Sequence, residues 1–207
     1  VNVGDTVVVV NVSDGNGGTA SQSFQIGIDH TNHAPVFVSV PDTVVFEDSL
    51  YTYRPAVFDQ DSQLFGDSLT YELKTPASWL SINNVTGTVT GTPVGLQARD
   101  TIVIIEANDG KGGLRTQEFK LHGIHVNHSP IIITDSLTIA KEDTLYELRI
   151  SAVDKDTVFG DVLSYRLAGP LWLSINQIIG VISGIPRGQD VGNSLVSIAV
   201  DDGKGGV

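Results

Sequence analysis

Apolar and polar positions alternate with a period of two along most of this chain. Residues 101–107 and 194–200 are β-branched runs bounded by Gly and Asp clusters, which predicts strands. Residues 116–121 and 21–26 alternate polar with apolar side chains, as a strand with one solvated face does. Asp-Gly-Lys/Asn-Gly-Gly stands at 14–18, 109–113 and 202–206, and its glycines supply the positive φ a tight hairpin needs. Residues 69–73 and 163–167 predict another strand type, and 86–93 and 179–186 predict a strand flanked by turns. No helical stripe is present. Roughly seven short strands per unit, with turns at regular spacing, predict an all-β, antiparallel Greek-key β-sandwich.

The same text is written more than once. His33-Ala34-Pro35 returns as His128-Ser129-Pro130, and Glu47-Asp48-Ser49-Leu50-Tyr51 returns as Glu142-Asp143-Thr144-Leu145-Tyr146. Asp59-Gln60-Asp61 returns as Asp154-Lys155-Asp156, and the tryptophan segment around Trp79 returns around Trp172. A period of this size is a whole small domain, so the chain reads as a tandem array. Three pieces are expected: 1–35, the C-terminal part of a repeat plus a linker; 36–130, a complete repeat; and 131–207, a repeat without its last strand. Both ends fall inside a repeat. A segment of a longer protein is the expectation, and strand exchange between copies, giving a self-assembling filament, is the alternative.

Charge narrows the partners. The net charge is −12, with 24 acidic against 12 basic side chains, a field that repels nucleic acid and anionic lipid and favours divalent cations. There is no cysteine, so no disulfide can staple the units. No apolar run approaches the ~20 residues of a membrane helix. Catalytic signatures are missing too: there is no Gly-x-Ser-x-Gly, no His-Glu-x-x-His and no phosphate loop. The Asp pairs recur with each repeat, as ligands or loop caps do, whereas an active site occurs once. The expectation is a non-enzymatic protein.

Trp79 and Trp172 lie in matching Trp-Leu-Ser-Ile-Asn segments. An indole there is either a sugar-stacking platform, which would make the chain a carbohydrate-binding module, or a plug at one end of the sandwich. The flanking Leu80, Ile82, Leu173 and Ile175 favour the plug.

Two further stretches carry a family resemblance. Ile105-Glu106-Ala107-Asn108-Asp109-Gly110, followed by a strand and then His125-Val126-Asn127-His128-Ser129-Pro130, resembles a cadherin repeat with its linker. The tryptophan segment with Thr86-Gly87-Thr88-Val89-Thr90-Gly91-Thr92-Pro93 is similar to dystroglycan-type cadherin-like (Putative Ig) tandem repeats of surface proteins. The resemblance implies Ca²⁺ at each inter-domain junction. At the first junction it implies Asp29 and Asn32 from the linker, with Asp59, Asp61 and Asp109 from the following unit, and Asp67 is near enough in sequence to join them. At the second it implies Asn127, Asp154, Asp156 and Asp202, with Glu47 reaching down from the preceding unit. Six to eight oxygens drawn from such loops are what Ca²⁺ takes. Ile124 stands where the family linker opens with Asp, and the Asp-Arg-Glu segment is replaced at Thr92-Pro93 and Ile185-Pro186. Fewer charges imply one ion per junction, at the weak end of calcium sites. The alternative is acidic turns that only cap loops.

His122, His125 and His128 are spaced by three, and His30 and His33 echo the last two. A Zn²⁺ or Cu²⁺ site or a pH-responsive hinge is one reading. A spacing of three puts neighbours on opposite faces of a strand, which favours solvated linker histidines. Three sequons begin at Asn11, Asn84 and Asn127. Altogether the resemblance implies a secreted or cell-surface array, stiffened by Ca²⁺, that serves adhesion or forms a scaffold. Its partners would be copies of itself, surface or matrix proteins, or glycans.

Overall fold

Alternation becomes mostly antiparallel pairing among the described residues. The computed structural model describes residues 4–75, 77–135 and 139–206. It opens with a hairpin of β1 (Thr6–Ser13) and β2 (Thr19–Ile26), paired in unbroken register from Thr6 opposite Ile26 to Ser13 opposite Thr19. Nine strands follow: β3 (Val36–Phe37), β4 (Val44–Phe46), β5 (Tyr51–Tyr53), β6 (Val57–Phe58), β7 (Thr70–Leu73), β8 (Leu80–Ile82), β9 (Val89–Gly91), β10 (Thr101–Asn108) and β11 (Leu114–Ile124). One sheet runs β4-β11-β10-β7 and the other β5-β9-β8, with β3 and β6 pairing beside them. β4 joins β11 in parallel and closes the first sheet.

β10 shows why this pattern makes a sandwich. Val103, Ile105 and Ala107 are fully buried, while the intervening side chains stay partly or fully accessible. Val103 and Ile105 meet Val45, Tyr51, Tyr53, Leu80, Val89 and Leu121 in one core, and Trp79 packs against it. Gly91 is required beneath that indole: a Cβ there would stand 2.1 Å from the Trp79 carbonyl oxygen. Gly184 meets Trp172 in the same way.

The strands of the next unit repeat the order: β12 (Ile131–Ile132), β13 (Tyr146–Arg149), β14 (Ala152–Val153), β15 (Ser164–Ala168), β16 (Leu173–Ile175), β17 (Val181–Gly184) and β18 (Ser197–Asp201). They form the ladders β12-β14, β13-β17-β16 and β15-β18 around a separate core of Ile150, Tyr165, Ile182 and Val200. The fold is therefore the all-β, antiparallel sandwich that the alternation predicts, built twice. Short 3₁₀ turns at Gly95–Gln97 and Lys155–Phe159, one in each unit, come together at the junction between them.

Candidate functional site

Two groups of carboxylates gather where one unit meets the next. In the first, Asp59 closes an Asp-x-Asp turn by accepting the Asp61 amide at 2.8 Å through Oδ1. Phe65-Gly66-Asp67 then folds back, with Gly66 at φ +74°, and delivers Asp67 beside them. Ligand atoms of Asp59, Asp61 and Asp67 all lie within 4.8 Å of one another. Asp109 enters from the end of β10. Its Oδ1 accepts the amides of Lys111 and Gly113 at 2.7 and 2.9 Å, and its Oδ2 accepts Asn32 Nδ2 at 2.8 Å. The last glycine of the Asp-Gly-Lys-Gly-Gly turn has no room for a side chain: a Cβ on Gly113 would stand 2.0 Å from Asp109 Oδ2 and 2.8 Å from the Ala34 backbone.

The second group is its twin. Asp154 Oδ1 accepts the Asp156 amide at 2.7 Å, and Asp154, Asp156 and Asp161 draw together. Asp202 accepts Lys204 and Gly206 amides at 2.7 and 2.9 Å and Asn127 Nδ2 at 2.8 Å. Glu47 comes from the preceding unit, buried, and accepts the Gly95 amide at 2.6 Å and the Val126 amide at 3.2 Å.

The electrostatics within each group split in two directions. Burial raises the carboxyl of Asp67, and Asp59, Asp109 and Asp61 push it further the same way; burial and Asp154 do this to Asp161. Asp61 and Asp109 feel burial too, yet hydrogen bonds from His33 and Asn32 hold them below the usual carboxylate range. Asp156 and Asp202 are held down likewise by His128 and Asn127. The outcome is a buried anionic centre that hydrogen bonds only partly satisfy. Asp59 Oδ2, Asp67 Oδ2 and Asn32 Oδ1 at the first junction have no hydrogen-bond partner, nor do Asp154 Oδ2 and Asp161 Oδ2 at the second.

Nine of the ten expected ligand residues line these two centres. Asp29 does not; it is exposed and joins neither group. His30, Asn32 and His33 of the linker reach the first centre instead. Asp161 is an addition. It sits five residues after Asp156, where Asp67 sits six after Asp61, and the repeated Phe-Gly-Asp at 65–67 and 159–161 is the signal that marks both.

His30, His125 and His128 depart from the expectation of solvated linker side chains, being half-buried, while His33 and His122 stay exposed. Residues 27–35 and 125–130 form no regular strand, so a spacing of three does not separate their faces. His33 donates its amide to Asp61 Oδ2 at 2.6 Å with its Nδ1 3.1 Å from the same oxygen, and His30 Nε2 lies 3.4 Å away. His30 stacks on Phe65 and His125 on Phe159, at 3.5 and 3.8 Å between ring centres. His125 Nδ1 bonds Glu47, and His128 bridges Asp156 through Nδ1 at 3.1 Å and Asp48 through Nε2 at 2.8 Å. Asp48 and Asp156 raise the pKa of His128. In ion-free protein this bridge contributes fully below the unfolded imidazole value near 6.5 and is lost as pH rises through the raised folded value. Stability in EDTA should therefore decline on the alkaline side, and His128→Gln should flatten that decline in urea titrations from about pH 5.5 to 8.5.

The sugar-platform alternative finds little in the indoles. Trp79 is half buried against the core, and Trp172, also half buried, meets Tyr146 edge-on. Among the described residues no helix is long and apolar enough to cross a membrane.

Comparison with known proteins places these sandwiches. A family model described as "Putative Ig domain" matches residues 34–122 and again 129–207. No curated protein sequence matches the chain. Among solved structures, human CDH23 EC21-23 is 16% identical over 95% of this chain and 73% of its own, with a TM-score of 0.50. Mouse Cadherin-23 EC22-24 is 17% identical over 97% of this chain and 70% of its own, also at 0.50. These likenesses show the fold. An endo-fucoidan hydrolase of glycoside hydrolase family 107 is 20% identical over 98% of this chain, at a TM-score of 0.37, and this chain spans 32% of its length. A protocadherin gammaB7 EC3-6 structure is spanned over 56% of its length.

Proposed function

The chain belongs to the Putative Ig domain family, and on that premise we propose that it is a segment of an extracellular, cadherin-like repeat array whose junctions are stiffened by Ca²⁺. Its units would be residues 1–35, 36–130 and 131–207. One observation carries the reading: each junction buries carboxylate oxygens without a partner, Asp59 Oδ2 and Asp67 Oδ2 at one and Asp154 Oδ2 and Asp161 Oδ2 at the other. A buried charge with no partner is costly, and a hard cation satisfies several oxygens at once. Asp59, Asp61, Asp67 and Asp109 would hold one ion at the first junction, with Asn32 Oδ1 from the linker. Asp154, Asp156, Asp161 and Asp202 would hold one at the second, with Asn127 and Glu47. Bound Ca²⁺ would supply charge neutralisation and a fixed coordination sphere.

The array's role follows from that geometry. Asn32 and Asn127 belong to the linkers, Glu47 to the preceding unit and the aspartates to the following one. Cross-linking them removes hinge freedom and holds successive sandwiches in line. Such a rod serves adhesion or scaffolding at a cell surface or in a matrix, with copies of itself, surface proteins or glycans as partners. It performs no chemistry on a substrate. Small-angle scattering tests the idea. Millimolar Ca²⁺ should lengthen and narrow the distance distribution relative to EDTA, and Asp156→Asn/Asp161→Asn should remove the part of the change that comes from the second junction. Superimposable curves in EDTA and Ca²⁺ would overturn it.

A further inference from the structure

We propose that the second junction also binds a borderline transition ion, Zn²⁺ by chemistry, through Glu47, His125, His128 and Asp156. Ligand atoms of Glu47, His128 and Asp156 lie within 4.8 Å of one another, and this group differs from the neighbouring oxygen-only group of Asp154, Asp156 and Asp161. His125 stands beside this group and contacts two of its members, with Nδ1 bonded to Glu47 and Nε2 4.0 Å from Asp156 Oδ2. The donor set is two imidazoles and two carboxylates. That set suits a small tetrahedral ion with nitrogen at about 2.0–2.1 Å, whereas Ca²⁺ takes oxygen.

Three further features support a built site. Glu47 is 4% exposed and Asp156 fully buried, so two negative charges stand in a low-dielectric place where a divalent ion balances them. Both imidazoles are oriented from outside. Phe159 stacks on His125, and Asp48 accepts from His128 Nε2 at 2.8 Å, leaving Nδ1 turned toward Asp156. A carboxylate on the far nitrogen is how ligating histidines are commonly aimed. Finally, a largely apolar cavity of about 490 Å³, lined by His128 with Asn127, Ser129, Ile131, Val153, Asp154 and Lys155, opens beside one of the two imidazoles. At the first junction Asp61 is the one carboxylate that pairs with His30 and His33 among the described residues, and no histidine-containing group of metal-ligand spacing forms there.

This inference shares Glu47 and Asp156 with the calcium reading but does not rest on it, because it stands on the two imidazoles, which that reading does not use. The test is Co²⁺ titration of the whole chain, stripped of metal and held at 5 mM Ca²⁺. One Co²⁺ per chain should bind with visible d–d bands, and one Zn²⁺ should displace it. His128→Gln and His125→Gln should each lower Co²⁺ affinity at least tenfold, while Glu118→Gln, exposed on β11 and part of neither centre, should leave it unchanged. Glutamine adds no charge, so an unfolding midpoint close to wild type in EDTA on the alkaline side, where the His128 bridge is already lost, shows that the loss of affinity is not misfolding. Absence of Co²⁺ binding at 0.1 mM would overturn the proposal. So would binding that both histidine variants leave intact. A Co²⁺ spectrum with no Ca²⁺-dependent change in scattering would overturn only the calcium reading; the reverse pattern would overturn only this one.

Discussion

Millimolar Ca²⁺ should raise the thermal unfolding midpoint of EDTA-stripped protein by roughly 5–15 °C, with Mg²⁺ having little effect. A site with a dissociation constant between about 10⁻⁴ and 10⁻³ M, at about 5 mM Ca²⁺, adds roughly 1–2 kcal/mol to a folded state that alone binds it. One such gain per unit moves a domain of this size by several degrees. Asp67→Asn separates a ligand from a loop cap because it acts in opposite directions in the two conditions. Without the ion, Asp67 is a buried carboxylate pushed upward by burial and by Asp59, Asp109 and Asp61. Its raised folded value means its contribution is whole at acid pH and lost as pH rises through that value. Removing the charge should thus raise the midpoint in EDTA at neutral pH. With Ca²⁺ present the same change removes a ligand, so the gain at the first junction should shrink. An Asp59→Ala/Asp61→Ala pair should also lose the gain, but with a lower midpoint in EDTA, since Asp59 caps the turn and Asp61 anchors His33. A variant whose Ca²⁺ response equals the wild type's would mean the acidic loops serve as turns alone.

Much of the sandwich was legible because alternation and repetition are local in the chain. β10 and its hairpin turn are written in consecutive residues, and Gly110 and Gly112 adopt the positive φ, +75° and +102°, that the turn pattern demands. The site was legible only in part. Asp59, Asp61 and Asp109 carry a spacing shared by both units, but Asp161 falls out of step by one residue, since the loop before it is shorter than the loop before Asp67. Aligning Phe-Gly-Asp instead of counting from the Asp pair would have recovered it. The histidines were misread for a different reason. The opposite-face argument assumes a strand, and the linkers between β2 and β3 and between β11 and β12 leave regular pairing before His30 and His125. Their stacking on Phe65 and Phe159 joins residues that no local pattern relates. Glu47 entered through resemblance alone, since no spacing argument carries a residue of β4's turn to the far end of its own unit, where it meets His125 and Val126.

Ile105→Ala should cost about 2–5 kcal/mol, and the loss should fall on one unit of the chain. Ile105 is fully buried on the central strand β10, opposite Leu73 of β7 and Gln117 of β11, so neither neighbour can close over the vacated space without breaking a ladder. A unit of this size has roughly 5–10 kcal/mol of stability in total. The change therefore takes a large fraction of it and should lower that unit's midpoint by at least about 10 °C. The core around Ile182 shares no residue with the core around Ile105. Calorimetry in EDTA should accordingly show an early transition for the first unit, with the second near its wild-type position; Ile182→Ala should reverse the pattern. Coupling should appear when Ca²⁺ is added. Glu47 and the Gly95–Gln97 turn are supplied to the second junction by the first unit. Once that unit has melted, the second keeps its four aspartates but loses Glu47, and its calcium-dependent gain should fall below that of the intact chain. A single transition that moves as a whole in both conditions would instead make the two sandwiches one cooperative body, and the junction a fused interface in place of a hinge closed by an ion.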